Sequence, residues 1–96
     1  MTLFIVSYDI PSDDEGDKRR SSLFKYLSAI GLRVQNSVFE LRIPSNRIII
    51  IIKEIEEIID KAQDSVRIYR ICKECAQQSI KIGKSSNCEY ADVIFF

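Results

Sequence analysis

Three features of the sequence predict an α+β sandwich. The chain opens on a short run of strand formers, apolar residues recur at helical spacing in two later segments, and strand-like segments lie between and after those two. At 96 residues there is room for one domain, 1–96, and the composition is that of a globular protein: 46% hydrophobic and 29% charged, with three glycines and two prolines. A domain of this size buries only about 60 to 65% of its unfolded surface, so its core is thin and is often supplemented by association.

Residues 3–9 (LFIVSYD) are short, mostly apolar and rich in strand formers, as in a strand buried on both faces. Residues 10–16 (IPSDDEG) form a polar, acidic loop. From Asp17 the spacing turns helical, with Leu23, Phe24, Leu27 and Ile30 on one face. The acids before it suit a helix N-terminus, and Gly31 suits its stop. Residues 32–43 (LRVQNSVFELRI) read as two short strands folded at Gln35-Asn36-Ser37, or as one bent strand. Pro44 with Ser45 or Asn46 marks the start of a second helix. The run Ile48 to Ile52 favours a strand by propensity. Over a longer window, Ile48, Ile51, Ile52, Ile55, Ile58, Ile59 and Ala62 recur with a period of about 3.6, and the period decides for a helix. Residues 65–72 (SVRIYRIC) alternate as a strand, and residues 79–82 read as a further short one. A polar stretch then leads to the apolar run ADVIFF at 91–96.

The order strand, helix, strand-strand, helix, strand is that of the ferredoxin-like βαββαβ sandwich: four antiparallel strands with both helices on one face. That architecture leaves the other sheet face bare, yet the first strand is apolar on both sides and the C-terminal run has no place in a monomer. A homodimer joined through the sheet faces is therefore expected, with residues 83–96 adding a C-terminal strand to the partner's edge.

Charge and composition exclude several classes. Fourteen basic residues offset fourteen acidic ones, so any nucleic-acid footprint must be local. Histidine is absent, which removes imidazole bases, His-based triads and His-zinc sites. The start MTLFIVSYDI lacks a basic leader region, no stretch approaches the roughly 20 apolar residues of a membrane span, and three cysteines are an odd count. A cytoplasmic protein without membrane partners is expected.

Asp9 follows a buried strand directly, where it either reaches a surface cleft or caps a turn. Ser7 lies on its side of the strand, as a minor ligand or hydrogen-bond donor; Tyr8 points the other way, toward the core. Lys18, Arg19 and Arg20 form the clearest basic cluster, at the start of the first helix. They are a solvated face or, because cations there oppose the macrodipole, a phosphate-capturing site. Arg33, Arg42, Arg67 and Arg70 extend a surface suited to a nucleic-acid backbone. Phe39 belongs to the core or stacks on a base. Cys72 and Cys75 have zinc or redox spacing, but a zinc site needs four ligands and only Cys88 remains.

Tyr8-Asp9-Ile10, Asp17-Lys18-Arg19-Arg20, the run from Gly31 to Glu40 (GLRVQNSVFE), Asp64-Ser65-Val66-Arg67-Ile68-Tyr69 and Cys72-x-x-Cys75 together resemble the hallmark segments of the CRISPR-associated Cas2 family. The resemblance implies a ferredoxin-like homodimer with paired Asp9 residues near the two-fold axis. It further implies magnesium-dependent cleavage of RNA or DNA phosphodiesters in some members, and in many systems a role in spacer acquisition, the dimer holding duplex DNA within a complex with the Cas1 integrase. Magnesium at a phosphodiester takes one or two carboxylates plus water and phosphate oxygens, so two Asp9 side chains across a dimer axis would be adequate where one is not. Alternatives on the same fold are a non-catalytic DNA-binding scaffold and a toxin-type RNA interferase. One departure stands out: the loop between Asp9 and Lys18 is longer and more acidic than the family pattern, with Asp13, Asp14, Glu15 and Asp17.

Overall fold

A computed structural model describes residues 1–80, 82 and 83. The elements run β1 (Thr2–Asp9), α1 (Asp14–Ile30), β2 (Leu32–Gln35), β3 (Val38–Ile43), a 3-10 turn (Ser45–Arg47), α2 (Ile48–Ile58), β4 (Ser65–Ile71) and α3 (Lys73–Gln77). The four strands form one antiparallel sheet in the order β2-β3-β1-β4, the ferredoxin-like topology expected from the element order.

β1 is an inner strand, which is why its sequence is apolar in both registers. Phe4, Val6 and Tyr8 point to the helical side and join Leu23 and Leu27 of α1, Phe39 and Leu41 of β3, and Ile51 and Ile55 of α2 in one buried core. Leu3, Ile5, Ser7 and Asp9 alternate onto the opposite face.

α1 begins at Asp14, three residues before the expected Asp17. The Asp13 side chain caps it, accepting the Gly16 N–H at 2.7 Å, and Asp14, Glu15 and Asp17 then occupy the first turn, where the helix dipole favours acids. The last three residues of the expected acidic loop, Asp14 to Gly16, are thus helix. Gly31 ends α1 in an extended conformation, its N–H donating to the Leu27 carbonyl at 2.8 Å. A side chain at Gly31 would strike Leu41 and the Glu40 carbonyl, so glycine is required by the close approach of helix and sheet. The two-strand reading of residues 32–43 holds, with the turn at Asn36 and Ser37 and a bulge between Arg33 and Gln35.

The isoleucine run is helical, as its period requires. Ile51 and Ile55 are buried and Ile48 and Ile58 partly so, whereas Ile52 faces mainly outward. The helix stops when Ile59 turns extended, leaving Ala62 outside it and exposed. The expected short strand at 79–82 is not formed by its described members Ser79, Ile80 and Ile82. Ahead of it the chain forms α3, where Ala76 finds a buried seat against Leu3 on the sheet face away from the larger helices. The expected C-terminal strand at 91–96 and Cys88 lie outside the described residues. Among the described residues, no helix is long and apolar enough to cross a membrane.

Phe39 is fully buried, in edge contact with Phe24 (5.8 Å between centroids) and stacked near Tyr8 (6.3 Å), so its place is in the core. Phe39→Ala should destabilise the fold by about 3–5 kcal/mol in urea titration; a loss near zero would instead make it a surface stacking residue.

Candidate nucleic-acid and metal site

Asp9 is the last residue of β1, exposed, and opposite Ser65 of β4. Its position is set by what surrounds it. Tyr8, one residue earlier, anchors the strand end in the core: its backbone N–H donates to the Ser37 carbonyl at 3.1 Å, and its buried phenol donates to the Asn36 carbonyl at 3.4 Å. Burial pushes the phenol pKa up, against the pull of Arg33 and Arg20. Ser7, half-buried opposite Arg67, is one pleat from Asp9 on the same face.

The two loops flanking Asp9 are both fastened to α1. Arg20 folds back over the loop that follows Asp9, donating to the carbonyls of Ile10 (2.7 Å) and Pro11 (3.0 Å), to Ser12 Oγ (3.4 Å) and to the Asp17 carboxylate (2.6 Å). Arg19 reaches the loop before β4 and grips Asp64 with both ends of its fork, Nε to Oδ2 at 2.7 Å and Nη2 to Oδ1 at 2.9 Å. The Asp64 side chain has no exposed surface and also accepts the Asp60 N–H at 2.9 Å. Arg19 holds the Asp64 carboxyl below the usual carboxylate range.

The basic residues named from the sequence are thereby separated. Lys18 projects into solvent, 3.7 Å from an equally exposed Glu15. Arg19 and Arg20 are engaged by protein groups. Arg33 lies over the Phe24 ring at 5.3 Å and donates to Asn36 Oδ1 at 2.8 Å, on the edge strand. Arg42 is opposite Leu3, toward the other end of β1 from Asp9. Arg67 is the arginine that the register sets beside the Asp9 end of the open face. Sequence reasoning missed the burial of Asp64, for which the only signal is an acid just ahead of a strand, and missed Glu40. That residue lies on the open face opposite Ile5; one carboxylate oxygen is buried without a hydrogen-bond partner among the described residues, and burial raises its pKa against the effect of Arg42.

Among the described residues no three acids or cysteines come together as a metal site. Asp9 of one chain therefore does not by itself fit a magnesium ion, which at a phosphodiester needs further carboxylate or phosphate oxygens.

The family described as CRISPR associated protein Cas2 matches residues 1–79 of the chain. A CRISPR-associated endoribonuclease Cas2 of Chloroflexus aurantiacus is 38% identical over 79 residues, 82% of this chain and 81% of that protein. The crystal structure of Streptococcus pyogenes Cas2 superposes with a TM-score of 0.74 at 32% identity, covering 84% of this chain and 99% of that one. A chain of a partial Cas6-RT-Cas1–Cas2 complex superposes with a TM-score of 0.68 at 28% identity, covering 85% and 91%.

The Arg19–Asp64 pair gives stability a defined pH dependence. Because the native carboxyl titrates below the unfolded one, its stabilisation is complete above the ordinary range near pH 4 and is lost as pH falls through the native value. Asp64→Asn should lower the urea midpoint at pH 7 and converge on the wild type in acid. Parallel midpoint curves for the two proteins would contradict this role.

Proposed function

The chain belongs to the CRISPR-associated Cas2 family, and from that premise we propose that it acts in spacer acquisition as a nucleic-acid-binding homodimer that hydrolyses phosphodiesters at a magnesium site shared by two Asp9 carboxylates. The carrying observation is the placement of Asp9: exposed, at the end of an inner strand, between two loops that Arg19 and Arg20 pin to α1. A carboxylate held on so stiff a mount can meet its two-fold mate without reorganisation of either chain.

The homodimer is supported by the open sheet face. Leu32, Ile5, Val38 and the half-exposed Tyr69 lie there around Glu40, whose buried oxygen lacks a donor within the described residues. A second copy laid on this face covers the apolar side chains and can supply that donor. Two Asp9 side chains would then hold the magnesium ion, which when bound polarises the phosphate and acidifies a water. This chain's own residues bind and orient: Arg67 and Lys18 attract the phosphate backbone, and Ser7 offers a hydroxyl beside Asp9. The cytoplasm, where nucleic acid is encountered, is the proposed compartment. Names among the relatives support RNA as a substrate, and the Cas1–Cas2 complex supports Cas1 as the partner.

A second reading, a DNA-holding scaffold without hydrolysis, is favoured by one observation. Arg19 and Arg20 are spent on the fold, and Asp14, Glu15 and Asp17 line the first turn beside them, which weakens phosphate attraction near Asp9.

Asp9→Asn should lower magnesium-dependent cleavage of RNA or duplex DNA by roughly a hundredfold or more with the dimer intact. Equal cleavage by both proteins, or none by either, assigns the scaffold role. Tyr69→Glu, placed on the open face where the single chain tolerates charge, should shift sedimentation from dimer to monomer. A wild-type chain that sediments as a monomer overturns the shared site.

A further inference from the structure

We propose that Cys72 and Cys75 are a redox-active dithiol that undergoes exchange with anionic low-molecular-weight disulfides, drawn in by the cationic cleft on which Cys72 opens. β4 ends at Ile71, and the chain passes through Cys72 straight into α3. Both cysteines are free and exposed. The Cys75 N–H donates to Cys72 Sγ at 3.2 Å, which closes the turn between the two cysteines. Cysteines three apart on a turn closed in this way need little backbone movement to join. The turn carrying them is itself anchored, by Ala76 buried on Leu3 and by Ser79 Oγ donating to the Cys75 carbonyl at 3.0 Å.

The surroundings select the reagent. Cys72 lines a cleft of about 560 Å³ whose charged side chains, among the described residues, are Arg42, Arg70 and Lys73, with no acid. Such a cleft concentrates anions near the sulfur. The pair is also asymmetric. The Cys75 thiol and backbone N–H favour the Cys72 thiolate, with Glu74 opposing, whereas donation to Cys72 keeps the Cys75 thiol protonated. Cys72 is therefore the attacking sulfur and Cys75 the resolving one.

In the first step the Cys72 thiolate attacks one sulfur of the disulfide RSSR. The S–S bond breaks, and the departing thiolate takes up the proton that Cys72 gave away. In the second step Cys75, deprotonated, attacks the Cys72 sulfur of the mixed disulfide and expels the second thiolate, which leaves as RSH. The protein loses two electrons and two protons to form the Cys72–Cys75 disulfide, and RSSR becomes two molecules of RSH.

The test uses the full chain carrying Cys88→Ser, so that only this pair reacts, with oxidised glutathione as the anionic probe and hydroxyethyl disulfide as the neutral one. Intact mass and free-thiol titration should show an internal disulfide and no lasting adduct. Adding Cys75→Ser should halt the reaction at the glutathione adduct, and adding Cys72→Ser should slow it at least about tenfold. Lys73→Glu should slow glutathione exchange several-fold at low salt and leave the neutral probe nearly unchanged. An adduct persisting on both cysteines, or a Cys72→Ser variant as fast as its parent, would overturn the dithiol. Equal slowing of both probes by Lys73→Glu would overturn the role of the cleft.

Discussion

The grip of Arg19 on Asp64 is the constraint from which the site's geometry follows. A carboxylate with no exposed surface is tolerable only when paired and hydrogen-bonded, and Asp64 has both a bidentate guanidinium and the Asp60 N–H. The pair fixes the start of β4 relative to α1, and therefore the strand that runs beside Asp9. Arg20 makes the matching tie to the loop on the other side. Two adjacent arginines in the second turn of a helix lie mildly against its dipole, and the three acids of the first turn offset them. The charge-dense run from Asp13 to Arg20 is best understood as this one device: a capped helix start with two arms that reach outward and hold the ends of other elements.

The two faces of the sheet are unequal in a way that makes association favourable. One face is closed by α1 and α2 over a continuous core. The other receives only α3, which covers Leu3 at one end and leaves Ile5, Val38 and Tyr69 uncovered in the described chain. Glu40 is the cost of that arrangement, since a partly buried carboxylate with an oxygen unpartnered among the described residues loses hydration that Arg42 offsets only in part. Its rise in pKa records that loss. Covering the face with another apolar and donor-bearing surface relieves both defects at once, whereas solvent relieves neither.

Most of the fold was legible because periodicity is a local property. Leu23, Leu27, Ile51 and Ile55 announce their helices by spacing, and all are buried as that spacing requires. Three features escaped for separate reasons. The start of α1 depends on whether Asp13 caps or merely loops, which its backbone conformation decides. α3 has five residues, too few to display a helical period, so its existence rests on the seat that Ala76 finds on Leu3. The fate of Arg19 depends on a partner 45 residues away, and no local pattern tells an arginine reserved for the fold from one offered to a ligand. At the candidate site, therefore, Asp9 and its strand-end position could be read from sequence, while the division of the basic residues between architecture and surface could not.

That division bears on how a polyanion would be recognised. With Arg19 and Arg20 occupied, cationic side chains stand at two separated places along β1: Arg67 toward Asp9, and Arg42, Arg70 and Lys73 around the cleft at the other end. From Leu3 to Asp9 the strand advances roughly 20 Å at the usual rise per residue, which is several phosphates along a nucleic-acid backbone. A spread of this kind suits an extended chain contacted at intervals better than a single phosphate contacted from many sides. It also separates the carboxylate that would meet a metal from the cluster of Arg42, Arg70 and Lys73, so attraction of the backbone and chemistry upon it need not compete for the same few side chains. Binding without cutting and cutting after binding are thus both compatible with one architecture, and the balance between them falls to what a second Asp9 brings to the first.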